Sequence, residues 1–110
     1  MMSRALFDHP EVGITFTELT GRIRANDAFR QMLGYTDAEL RGRNWEAITH
    51  PDDLVESRQN EADLLAGRAE SRRMRRRLVR KGGRILWADV LTVLITDDAG
   101  APLRFEAVVI

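Results

Sequence analysis

The sequence predicts an α+β fold in which one antiparallel sheet carries short helices over a single face. Three observations predict it. Residues 12–25 hold two alternating stretches joined at Thr20-Gly21, the pattern of a hairpin. Residues 26–66 break into short helical segments, each opened by capping chemistry and most of them closed by glycine. From Ser71 onward the period returns to two, and turn signals divide the stretch into three strands. Strands joined by hairpins make an antiparallel sheet, and the helices between them have to cover one of its faces.

In chain order, Ser3 is placed to cap a short helix, RALFDH, which Pro10 stops. EVGITFTEL then alternates, with Ile14 and Phe16 on one side and Thr15 and Thr17 on the other. The apolar pair is expected to point inward. RIRA returns as the second strand. Asn26 or Asp27 caps a helix whose Phe29, Met32 and Leu33 share a face, and Gly34 stands where a helix ends. Thr36 and Glu39 form a T-x-x-E capping box for a second short helix, closed by Gly42. WEAI makes a further turn. Pro51 then opens a longer helix, with Asp52 and Asp53 complementing its positive end. That helix is expected to run to about Ala66, with Leu54, Ala62 and Leu65 as a thin apolar stripe. Its polar middle, SRQNE, predicts only a light commitment to the core.

In the third strand Met74, Arg76 and Leu78 share one face, opposed by Arg73, Arg75, Arg77 and Val79. Lys81-Gly82-Gly83-Arg84 is a tight hairpin. The fourth strand, ILWADVLTVLIT, sets Leu86, Ala88, Val90, Thr92 and Leu94 against Trp87, Leu91, Val93 and Ile95. Asp98-Ala99-Gly100 turns the chain, and PLRFEAVVI groups Leu103, Phe105, Ala107 and Val109 on one face.

The 110 residues fit one domain, with 1–11 as an N-terminal cap segment and 12–110 as the core. Net charge is zero, so the molecule as a whole has no strong pull toward nucleic acid or an anionic membrane. The charges are nonetheless polarised: nine basic residues and one acid lie between Arg68 and Arg84. Without stacking aromatics or a groove helix, the arginine face is read as a solvated strand face, not a nucleic-acid patch. There are no cysteines, which excludes disulfides and thiolate chemistry. No apolar run approaches the ~20 residues of a membrane span, and MMSRALFDHP is not read as a signal peptide. A cytoplasmic setting is expected.

Taken together, Gly13-Ile14, G-x-I at 21–23, N-x-A-F at 26–29, M-L-G-Y at 32–35, E-L-x-G at 39–42, H-P-D-D at 50–53, the Lys81-Gly82-Gly83 hairpin and Trp87 resemble a PAS domain. The likeness covers nearly the whole chain in order and spacing. It implies a five-stranded antiparallel sheet in the order 2-1-5-4-3, with the helices arched over its concave face. It also implies a sensory module that binds a small molecule or a partner. The signal would pass to a histidine kinase or cyclic-dinucleotide enzyme outside this chain. Alternatives are a ligandless dimerisation module with a self-filled core, and a non-covalent flavin or haem sensor.

The lining expected for a ligand pocket is Ile14, Phe16, Phe29, Met32, Tyr35, Trp45, Ile48, Met74, Arg76, Leu78, Ala88, Val90, Thr92, Phe105 and Ala107. Arg76 stands out, because a buried guanidinium is costly unless paired. Three fates are open to it: reaching past the lid to water, pairing with Glu46 or Glu61, or receiving an anionic ligand.

Leu6, Phe7, Trp87, Leu91, Val93 and Ile95 form the expected interface of a homodimer, through the outer sheet face and the N-terminal segment. Flavin photosensors of the family carry a reactive cysteine directly after a G-R-N-type triplet. Here Gly42-Arg43-Asn44 is followed by Trp45, so a cysteinyl-flavin adduct is excluded. Haem-binding relatives carry a histidine within the long helix, whereas His50 precedes it, so no haem is expected. His50, Asp52 and Asp53 are helix-start residues rather than a metal site. No nucleophile elbow, phosphate loop or cysteine nucleophile is present, so no enzymatic activity is expected in this chain.

Overall fold

The computed structural model describes residues 4–110; the cap expected at Ser3 lies outside the described residues. A single helical turn, α1 (Arg4–Phe7), leads into β1 (Gly13–Glu18) and β2 (Ile23–Ala25). The helical stretch comprises α2 (Asp27–Leu33), α3 (Asp37–Arg41), a 3-10 turn (Trp45–Ile48) and α4 (Pro51–Leu65). The remaining strands are β3 (Ser71–Val79), β4 (Ile85–Thr96) and β5 (Pro102–Val109). All strand neighbours pair antiparallel, in the order β2-β1-β5-β4-β3.

Local chemistry sets the helix boundaries. Asn26 is the cap of α2: its Oδ1 accepts the Phe29 N–H at 3.1 Å and the Ile14 N–H at 2.9 Å. Its Nδ2 donates to the carbonyls of Phe7 and Val12 at 2.7 and 2.8 Å. One buried amide thus ties the N-terminal segment, β1 and α2 together. Gly34 closes α2 with φ 84°, a left-handed conformation that glycine adopts without strain. The Thr36–Glu39 capping box closes in both directions. His50 caps α4 by accepting the Asp52 N–H on Nδ1 at 3.1 Å.

The core lies between these helices and the inner sheet face. Phe29, Leu33, Leu40 and Ile48 pack against Leu78, Ala88, Val90 and Val109. At the crossing of α2 over β1 the approach is close. A Cβ on Gly13 would come within 3.2–3.3 Å of Met32 Sδ, the Val109 carbonyl and the Phe29 ring.

Two expectations are corrected. On β1 the inward residues are Thr15 and Thr17, paired with Ala107 and Phe105, while Ile14 and Phe16 take the outer side. The apolar residues face outward there because the N-terminal segment covers them: the Phe7 and Phe16 rings lie 6.2 Å apart. On α4, Leu64 is buried, whereas Leu65, expected in the apolar stripe, is half exposed.

Candidate functional site

Between α4, the 3-10 turn and the inner sheet face lies a cavity of about 50 Å³. Its apolar wall includes Ile23, Phe29, Ile48, Leu78, Val90 and Phe105, and Thr15, Thr17 and Thr92 contribute from the central strands. The wall supplied by α4 is different. Ser57, Asn60, Glu61 and Leu64, at i, i+3, i+4 and i+7, turn one helical face toward the hollow. Arg76 enters from β3, the edge strand beneath that helix.

Arg76 is held in an electrostatically poor place. Burial lowers its pKa, opposed by the charges of Glu61, Asp53 and Glu56. Its Nε is buried without a hydrogen-bond partner among the described residues. The guanidinium lies 5.7 Å from the centroid of Trp45, and its Nη2 reaches only the sulfur of Met74, at 3.7 Å. Ser57 Oγ and Asn60 Nδ2 aim at the same sulfur, at 3.5 and 3.3 Å. A thioether is a weak acceptor, so three donors converge on a group that satisfies none of them well. Glu61, the acid facing the cavity, has its pKa raised by burial, and the nearby Arg76 charge only partly offsets this. Glu46, the other acid considered for Arg76, is engaged by Arg58.

The neighbouring residue on β3 is fully partnered. Asp53, at the start of α4, accepts from the Arg77 backbone N–H at 2.7 Å and from its guanidinium at 2.9 and 3.1 Å. These bonds hold the Asp53 carboxyl below its ordinary pKa. The Arg77 guanidinium also lies 4.9 Å from the Trp87 ring on the outer sheet face. Helix α4 is therefore linked through Arg77 to the far side of the sheet.

Of the residues expected to line a pocket, Phe29, Trp45, Ile48, Arg76, Leu78, Val90, Thr92, Phe105 and Ala107 border the cavity. Tyr35, Met74 and Ala88 are buried without lining it, and Met32 packs partly buried against the core. Ile14 and Phe16 do not contribute, for the reason given above. Glu61, named as a possible partner of Arg76, does face the cavity, whereas Ser57, Asn60 and Leu64 were not anticipated. Their helical spacing was readable in the sequence, but a hydrophobic pattern does not register a polar inward face.

On the outer face Trp87 is half exposed and Leu91 slightly less so, with Val93 and Ile95 partly covered. Phe7 lies instead against Phe16, with half-exposed Leu6 beside it in α1, so the N-terminal turn covers β1 rather than the Trp87 stripe. No helix among the described residues is long and apolar enough to cross a membrane, and no cluster of metal-ligating side chains occurs among them.

Comparison with known proteins places this geometry. Residues 22–109 match the family model described as PAS fold. The probable diguanylate cyclase DgcE of Escherichia coli is 30% identical over 105 residues, covering 94% of this chain and 10% of that protein. The sensor histidine kinase TmoS of Ectopseudomonas mendocina is 27% identical over 100 residues, covering 90% of this chain and 10% of that protein. The chain thus spans about a tenth of the length of these curated relatives. The PAS domain of a Colwellia psychrerythraea protein superposes with a TM-score of 0.84 at 19% identity, over 94% of this chain and 88% of that one. An RNA-binding light-oxygen-voltage receptor superposes with a TM-score of 0.79 at 23% identity, over 97% of this chain and 31% of that one. With the strand order, the helical arch and the family match in agreement, this chain belongs to the PAS fold family.

Proposed function

We propose that this chain is the sensory module of a larger signalling protein, admitting a small molecule to the cavity beneath α4 and relaying its occupancy to an effector. The observation that carries this reading is the hollow itself. Its wall holds a buried cation without a hydrogen-bond partner on Nε, an arrangement that a purely structural core would have replaced with apolar packing. Both curated relatives are signalling proteins in which the matching segment is a small part of the length.

The contacts of α4 support a relay. Occupancy would alter how α4 sits on β3, and the Asp53–Arg77–Trp87 chain of contacts carries that change to the outer face. There an effector or a second copy would respond. Half-exposed Trp87, with Ile85 and Leu91 beside it, favours a second copy on this face, which also fits a dimerisation role.

A flavin does not fit. Ligand pockets of that class run to roughly 300–1,000 Å³, against about 50 Å³ here, and Trp45 occupies the wall where the photosensors carry their cysteine. Haem is disfavoured by the same volume, and no histidine lines the cavity.

The test is native mass spectrometry of the purified chain beside an Ala107→Leu variant, whose added carbons fill the hollow. The expected result is a retained small-molecule mass on the wild-type chain and none on the variant. In the longer protein, the variant's effector output should no longer respond to the signal. A bare wild-type chain, together with an output indifferent to Ala107→Leu, would contradict the proposal.

A further inference from the structure

We infer that the Arg76 end of the cavity takes the carboxylate of a small monocarboxylic acid, whose short apolar tail lies toward Phe29, Ile48 and Val90. This rests on the sensory reading above and narrows it to one class of ligand.

The first argument is an inventory of donors and acceptors. Arg76 Nε has no partner, while Arg76 Nη2, Ser57 Oγ and Asn60 Nδ2 share only the Met74 thioether. The wall therefore offers donors that no strong acceptor engages, since the Glu61 carboxylate faces the cavity without bonding to any of them, and an oxyanion supplies the missing half. A guanidinium also presents paired N–H groups in the geometry that a carboxylate accepts.

The second argument is charge. Arg76 is the cation facing this cavity, and Glu61 already stands near it. A singly charged ligand matches one guanidinium once Glu61 takes up a proton, the direction in which burial pushes it. A phosphate dianion would leave a second negative charge buried beside Glu61 without a counterion.

The third argument is size. At roughly 10–15 Å³ of accessible space per water-sized sphere, a cavity of about 50 Å³ holds on the order of three to five such atoms. Acetate and propionate have that many heavy atoms. Hexanoate exceeds it, and beyond the donor end Phe29, Ile48, Val90 and Phe105 offer apolar surface to a short alkyl tail, between the threonines of the central strands.

The experiment is isothermal titration calorimetry of the chain with sodium acetate, propionate and hexanoate, and with propionamide as the uncharged match to propionate. Propionate is expected to bind saturably, with propionamide at least about tenfold weaker and hexanoate excluded. Arg76→Met should lower propionate binding to the propionamide level, and Arg76→Lys should fall between. Circular dichroism confirms that each variant is folded. Glu61→Gln, which removes the competing negative charge, should tighten propionate binding.

Equal binding of propionate and propionamide would overturn the carboxylate assignment while leaving the sensory cavity standing. So would wild-type affinity in the Arg76→Met chain. If no compound binds, the carboxylate assignment falls; the sensory reading falls with it only if the wild-type chain also carries no small molecule in the mass-spectrometric comparison with Ala107→Leu.

Discussion

Arg76 sits where two opposing contributions meet. Its contact with the buried Trp45 ring is worth about 2 kcal/mol, and a buried donor without a partner costs about 1–3 kcal/mol, so the two nearly cancel and the guanidinium adds little to folding until something accepts from it. Other charged side chains are easier to account for. Lys81 holds Glu39 down to about 2, and Arg68 with Arg72 holds Asp63 to about 2. Both pKa values are lower folded than unfolded, so their stabilisation is complete above about pH 4.5 and fades as pH falls toward about 2. Glu61 has the opposite sign: burial raises its pKa, so its charged form works against folding as pH climbs above its ordinary value. Urea midpoints are therefore expected to decline below about pH 4.5, and Glu61→Gln to raise the midpoint at about pH 7 but not at about pH 3. A midpoint that is flat down to about pH 2, or unmoved by Glu61→Gln, would contradict these assignments. The inward direction of Arg76 was legible from the alternation of Met74 to Leu78. The outward direction of Phe16 was not, because alternation separates two faces without saying which one is covered, and Phe7 covers the outer side of β1.

Among the elements, α4 is the one whose role the sequence hid most. Its polar middle predicted a light commitment to the core, and only Leu54 of the helix packs against the core cluster. That same middle lines the cavity through Ser57, Asn60 and Glu61, and Asp53 anchors the helix to β3. Hydrophobic periodicity records packing against apolar neighbours, and a helix that borders a polar-walled hollow gives no such record. The short helices α2 and α3 were legible because their boundaries are set locally, by Asn26, Gly34 and the Thr36–Glu39 box. The Asp53–Arg77 contact is nonlocal and had no counterpart in the local pattern. Asp53→Ala should cost about 1.5–3 kcal/mol, the range for hydrogen bonds to a charged group, since Arg77 remains partly solvated. Hydrogen exchange should quicken in α4 and β3 together, ahead of β1. Unchanged exchange in α4 would mean that the helix is held by its apolar contacts alone.

For the whole molecule, hairpin chemistry indicated an antiparallel sheet, but the order β2-β1-β5-β4-β3 was supplied by resemblance. Strand order depends on β5 returning across the molecule to β1, and no local signal encodes that contact. The cavity was likewise beyond the sequence: large side chains near it could have filled it, and the structure leaves a small polar-edged remainder. Whether that remainder is a receptor site or a packing defect turns on Arg76, and the melting temperature of the ligand-free Arg76→Met chain measures it directly. Removing a cation with an unsatisfied buried donor should leave the melting temperature unchanged or raised. A fall equivalent to about 3–5 kcal/mol, the loss expected on breaking a buried ion pair, would show that Arg76 is already satisfied within the protein and that the cavity awaits no anion.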